Sequence, residues 1–594
     1  MNYKINNMKR SIKFTALMGI ALLSVLSCKK SYLDQKPLGV LSADVLANEQ
    51  GVQSLLVGAY SLLDGYGGNS GGTRSPASNW VIGSMAAGDA YKGSSPSDGA
   101  ADVQPIQVFN LTPSNTAASA KYLLMYDAVQ RCNDVLRTLA LAKDISADKT
   151  KQIMAEARFL RGFYYFELKK IYNKVPYIDE TVTDFNQPND KDIWPNIEAD
   201  FKFAADNLPA VQIDRGRANS WAAMAYLAKA YLYQKKYTDA KPLFTNLIAN
   251  GVTAGGQKYA LIPFQQNFSP QATQKNGAES IFAAQASVND GSVASNGNRP
   301  DNLNFPYNGG PGGCCGYFPP SQTIANSFKT DANGLPLFDS FNTGNDVSDP
   351  AKPYTGTLDP RIDLTMARPN IPYLDWGTPS PAWVRDPTNG RFLPRKNVYS
   401  LSEKGVNTST ESGYWGATSI TSNNVNLLRF GDLLLMAAEV EMEAGSPELA
   451  LDYVNRVRTR AADPTGWVYK GSTYDATKSK YNVQTTPADN YLIKPYPTGS
   501  FADKAYALKA IHFERKIELA EEGHRYFDLA RWDNGTGSMA NEINAFLLYD
   551  VKVNSTLSGG RFVKGTHEHM PIPQSQIDLS ASQGNGVLKQ NPGY

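Results

Sequence analysis

The chain has 594 residues, and its 58 lysines and arginines nearly balance 56 aspartates and glutamates, giving a formal net charge of +2. That balance argues against nucleic acid as the main partner, and four cysteines cannot supply a framework of several disulfides. Charged residues reach only 19%, below the ~25% usual in soluble domains, while 32 tyrosines enrich a polar surface in flat rings, a texture suited to sugars.

Lys4, Lys9, Arg10 and Lys13 precede an apolar run from Phe14 to Leu26. A basic segment followed by a short apolar core is an export signal, and the run falls short of the ~20 residues that span a bilayer. Val25-Leu-Ser-Cys28 fits a lipobox, so residues 1–27 are expected to be removed and Cys28 to be acylated. A lipid chain anchors without spanning. Residues 28–594 then form one large domain.

Apolar spacing predicts helices over Asn48–Leu63, Lys121–Ala142, Lys149–Tyr172 and Trp194–Leu208. Gly65–Ser78 is a Gly/Ser-rich loop, after which Trp80 opens a further helix reaching Ala90. Cys132 sits on a helical pattern and reads as a small buried residue. Ser220–Asn250 carries small and large residues in the tetratricopeptide spacing, and Phe430–Ala461 repeats it: Ala438 and Ala450 stand twelve apart, as Ala228 and Ala240 do. The fold expected is mostly α, a tetratricopeptide-like helical scaffold with frame segments at about 48–250 and 426–545.

Between the frame segments, 251–425 turns to Gly, Pro, Asn, Ser and aromatics with little periodicity, and 464–500 is similar. Structureless stretches this long inside a compact domain are usually functional, and loops on a rigid frame are where binding residues gather. Trp80, Trp376, Trp383, Trp415 and Trp467 lie in or beside loops, whereas Trp194, Trp221 and Trp532 fall on frame patterns. Tyr307 and Tyr317 flank a Gly-rich turn containing Cys314 and Cys315, which either form a vicinal disulfide or stay apart. Tyr373, Trp376 and Trp383, with Arg385 beside them, form the densest aromatic loop.

The stretch Ile511–Trp532 packs Glu514, Arg515, Glu518, Glu521, Glu522, Arg525, Asp528 and Arg531 between apolar residues. Spacing allows i,i+3 and i,i+4 pairs along one helix, with Gly523 as its left-handed stop and a second short helix from His524. Neither a metal-binding His-Glu-x-x-His nor a nucleophile elbow nor an EF-hand spacing is present. The expectation is a buried ion-pair lattice locking two helices, without chemistry.

This stretch closely resembles the hallmark of the SusD/RagB family, Glu-Arg-x-x-Glu-Leu-x-x-Glu-Gly-x-Arg-x-x-Asp-Leu-x-Arg-Trp, met from Glu514 to Trp532. Further segments resemble the family in its order: Ala155–Tyr172 with Gly162 for the usual alanine, Cys314–Phe328, Asp359-Pro-Arg361, Leu428–Glu439 with Gly431 for alanine, Val454–Ala461, Met570–Pro573 and Gln590–Tyr594. The resemblance implies a non-enzymatic, lipid-anchored outer-membrane protein facing the cell exterior. It would bind an oligosaccharide or polysaccharide and serve a SusC-like TonB-dependent transporter, with no cofactor and no metal. The candidate glycan contacts are Trp80, Tyr307, Tyr317, Tyr373, Trp376, Trp383 and Arg385, since ring faces bury the apolar side of a pyranose at little rotamer cost. A peptide-binding lid of such a transporter is the alternative, and a glycoside hydrolase, needing two carboxylates across a cleft, is a third reading.

Overall fold

The computed structural model describes residues 43–66, 74–411, 419–584 and 586–594. The export signal, Cys28 and Trp415 lie outside them. The helical frame begins with α1 (Glu49–Ser61), α2 (Thr116–Leu141), α3 (Ala147–Tyr172), α4 (Trp194–Asn207), α5 (Ser220–Tyr233) and α6 (Tyr237–Asn250). Side chains of Asn48, Asn115, Ser146 and Asn219 accept the free N–H groups at four of these starts, the usual remedy for an open helix end. That cap lets α2 begin at Thr116, five residues before the first strongly periodic position.

Each helix packs on the next, and α6 packs directly on α7 (Phe430–Ala444), which pairs with α8 (Pro447–Ala462). The frame is therefore continuous in space across a long gap in sequence. Ala228, Ala240, Ala438 and Ala450 are all fully buried, consistent with small residues letting paired helices approach. The fold is mostly helical, a single domain on a tetratricopeptide-like scaffold. Among the described residues no helix is long and apolar enough to cross a membrane.

The intervening segment is tied off at its base. Strand β1 (Ser280–Ala284) pairs antiparallel with β2 (Val425–Arg429), Ser280 opposite Arg429 and Ala284 opposite Val425. Beyond this ribbon the chain has little regular structure yet buries a second core, including Phe264, Phe305, Ile324, Phe328, Ile362, Tyr373 and Tyr399. Phe513, Ile517 and Ala520 join that core from α9 (Lys504–Glu518) and the turn after it. The insert is thus a packed body seated on the frame.

The hallmark stretch lies between the two cores. The helix ends at Glu518, not at Gly523: Glu521 and Gly523 both take positive φ before α10 (Arg525–Asp533) begins. Gly523 is needed for approach as well as for φ, because a Cβ on it would stand 2.7 Å from Asn79 Cβ, and Gly83 must also lack one, since a Cβ there would be 2.0 Å from the Gly523 carbonyl oxygen. The acidic residues pair outward and not along the helix. Glu514 meets Arg361 (2.7 Å) and Arg458 (2.8 Å), and Glu518 meets Arg361 (2.9 Å), Arg429 (2.7 Å) and Arg460 (2.5 Å). Glu522 takes Arg429 and Lys396, while Arg515 holds Asp432 and Asp528. Segments scattered along the chain converge here because each supplies one charge to a shared buried lattice.

Two small-residue substitutions noted in the sequence differ in their surroundings. A Cβ at Gly431 would stand 2.6 Å from Arg429 Nη1 and 2.9 Å from Glu279 Oε1, so the lattice itself occupies that space. At Gly162 the nearest atoms belong to the Phe201 ring, at 3.0 Å.

Candidate functional site

The Gly-rich turn at 308–316 and the loop at 376–391 meet at the surface of the insert. The Tyr307 N–H donates to the Trp383 carbonyl at 2.8 Å. The Trp383 indole lies against Gly310, where any Cβ would be 2.9 Å from the ring. The Arg385 guanidinium sits 4.9 Å from the centre of the Tyr307 ring, a cation–π distance. It also pairs with Asp98 at 2.7 Å and donates to the Ser94 hydroxyl at 2.9 Å. Ser94 in turn donates to Asp98 and to the Cys315 carbonyl. Cys314 and Cys315 are joined by a disulfide within the turn. Tyr307, Trp383 and Arg385 are all partly exposed, so three of the sequence candidates form one face.

Burial works against charge on Asp98, but hydrogen bonds from Ser94 and Ser95 and the Arg385 cation hold its carboxyl below the ordinary value. Arg385 is therefore kept in place by an anion while its flat face covers Tyr307. Burial, with Asp98 and Asp102 nearby, pushes the Tyr317 hydroxyl up to about 12, so that group stays protonated.

The other candidates sit below this face. Trp80 is 2% exposed and opens a helical stretch of two successive turns, Trp80–Ser84 and Met85–Ala87, which stops short of the expected end at Ala90. Its ring packs edge-on against Tyr317 (5.9 Å) and Phe318 (5.5 Å), so no face is free for a sugar. Tyr317 is 7% exposed and forms the layer above Trp80. Tyr373 is fully buried and donates its hydroxyl to the Pro394 carbonyl at 2.5 Å. Trp376 is half-buried, its Nε1–H anchored on the Tyr399 carbonyl at 2.9 Å. Trp80 and Tyr373 are thus supports, because an aromatic in a loop that packs a core is consumed by that core.

On its other side the 376–391 loop walls a cleft of about 1080 Å³, closed opposite by residues 346–354. Asp98, Ser94 and this cleft carry no sequence signal. Only the fold sets them beside Trp383.

A family model described as "SusD family" matches residues 278–594, more than half of the chain. The chain belongs to the SusD family. A second model, described as "Starch-binding associating with outer membrane", matches residues 31–232. SusD-like protein P25 of Formosa agariphila is 24% identical over 551 residues, covering 86% of this chain and 88% of that protein. Among solved structures, a laminarin binding SusD-like protein superposes with a TM-score of 0.63 at 22% identity, over 92% of this chain and all of the other. Surface glycan-binding protein A from Bacteroides thetaiotaomicron, in complex with laminarihexaose, gives 0.61 at 20% identity, over 92% and 99%. At these identities the solved structures speak for the fold. In this SusD-family chain, the positions that met the hallmark are those that build the ion-pair lattice, whereas the exposed Tyr307–Trp383–Arg385 face lies outside it.

Proposed function

We propose that this SusD-family protein binds a glycan at the Tyr307–Trp383–Arg385 face and delivers it to a SusC-like TonB-dependent transporter, held on the exterior of the outer membrane by lipid on Cys28. The observation that carries the reading is a pair of part-exposed aromatic rings on a rigid base, with a guanidinium over one of them. Rings of this kind cover the C–H face of a pyranose, and the guanidinium reaches its hydroxyls. The titles of the laminarin-binding and laminarihexaose-bound structures and the starch-binding description support a saccharide as the ligand class. The role is binding without catalysis.

The test is affinity electrophoresis of the full chain, in detergent, through gels containing plant, fungal and host polysaccharides. Trp383→Ala and Tyr307→Ala run alongside. Retardation by one glycan class, reduced at least tenfold in affinity by either variant, is the expected result. Retardation unchanged in both would move the site elsewhere. No retardation by any glycan would favour a peptide ligand, and release of new reducing ends would favour a hydrolase.

A further inference from the structure

The cleft behind the 376–391 loop carries a charge pattern that the aromatic face does not share. Its carboxylates are already engaged. Asp346 pairs with Lys552 at 3.0 Å and accepts from Asn326 at 2.7 Å. Asp489 pairs with Arg368 at 2.6 Å, and that arginine is also bound by Asp363. Asp349 accepts the backbone N–H groups of Ala351 and Lys352, both at 2.8 Å. Two cations on the same lining have no such partner. Arg391 is partly buried and, among the described residues, donates to the Ser348 carbonyl alone, at 2.8 Å. It lies close enough to Asp349 to help keep that carboxyl charged, yet forms no ion pair with it. Lys470 is exposed, and its ammonium makes no ion pair among the described residues.

A cleft of about 1080 Å³ holds several sugar rings. Tyr354 and the flanks of Pro350, Pro353, Pro379 and Pro381 give it apolar walls suited to ring faces. A guanidinium with unused N–H groups is matched by a planar or tetrahedral oxyanion, which it can grip with two parallel hydrogen bonds. A neutral sugar offers neither side chain an opposite charge.

From this we infer that the cleft is a second subsite, selective for a sugar residue bearing a carboxylate or sulfate ester, with Arg391 and Lys470 as its specificity-determining residues. The inference rests on the glycan-binding reading and deepens it: the chain that crosses Trp383 would continue over the 379–387 loop into the cleft. The uronate and the sulfate share the same anion chemistry, and the experiment separates them.

Isothermal titration of the full chain with polygalacturonate, carrageenan and laminarin supplies a carboxylated, a sulfated and a neutral probe. The expected result is tighter binding of one anionic glycan than of laminarin, weakened by added salt and about tenfold weaker in each of Arg391→Gln and Lys470→Gln. Polygalacturonate preference assigns the carboxylate, and carrageenan preference the sulfate. Lys470 makes no contact that folding needs, so its variant reads binding even if Arg391→Gln loosens the Ser348 segment. Binding of laminarin alone, or anionic binding unchanged in both variants, overturns the inference and leaves the glycan reading intact. No binding of any of the three overturns the inference, and the wider electrophoresis panel then decides the glycan reading.

Discussion

Glu518 offers the sharpest test of the buried lattice. Its carboxylate is fully buried and meets Arg361, Arg429 and Arg460 at 2.9, 2.7 and 2.5 Å. Around it Glu279, Asp359, Glu514, Glu518 and Glu522 face Arg361, Lys396, Arg429, Arg458 and Arg460, five anions against five cations. Glu518→Ala leaves one buried positive charge uncompensated. Each arginine keeps another carboxylate, though Arg460 keeps only Glu279 at 3.3 Å. The cost is therefore that of breaking one buried pair, about 3–5 kcal/mol, and not a multiple of it. With an unfolding entropy of about 2.1 cal/mol/K per residue, 594 residues give about 1.2 kcal/mol/K, so the thermal midpoint should fall by about 2–4 °C. Calorimetry of Glu518→Ala, Glu518→Gln and Lys202→Ala measures this. Glu518→Gln keeps the shape and isolates the charge, while Lys202 pairs with Asp206 at the open surface and should shift nothing resolvable. A Glu518→Ala midpoint equal to that of Lys202→Ala would refute the reasoning.

Gly431→Ala, nominally a small-for-small change, should cost about 1–3 kcal/mol by pressing on Arg429, seen as a lowered urea midpoint. Gly162→Ala should stay within about 1 kcal/mol, since helix propensity gained there offsets the tight Phe201 contact. Trp80→Ala should lower stability by about 3–5 kcal/mol through the cavity left under Tyr317. In material that remains folded, its effect on glycan affinity should be smaller than that of Trp383→Ala. As for pH, arginine partners hold Glu518 and Asp528 low against the opposing effect of burial, the latter to about 2. Their stabilisation is complete above the ordinary carboxylate range and is lost as pH falls through it towards 2. Partly buried His512 and His524, lowered to about 4, add to the acid loss, while Asp89 and Asp550, raised by burial to about 6, oppose it between pH 6 and 4. The unfolding midpoint should hold from neutral pH to about 4.5 and drop steeply below, as a pH series of melts would read.

The helical frame was legible because its information is local. Apolar residues at helical spacing, Asn and Ser caps, and alanines twelve apart at 228, 240, 438 and 450 each act within a few turns. The hallmark from Glu514 to Trp532 disclosed a buried charge lattice for a similar reason, since so many ions among apolar residues cannot all stay solvated. Its partners were another matter. Spacing along one helix suggested neighbours, but the guanidiniums come from positions 361, 429, 458 and 460, and the helix stops at Glu518 so that Gly523 can press against Gly83. The proposed binding face was half visible. Tyr307, Trp383 and Arg385 stood out as aromatic or basic residues in loops, and so did Trp80 and Tyr373, which the fold buries. Composition tells that a ring is present and not which side of a core it lies on. That depends on contacts between segments tens to hundreds of residues apart: Asp98 under Arg385, Gly310 under Trp383, and the cleft that opens only when 346–354 and 379–391 stand opposite one another.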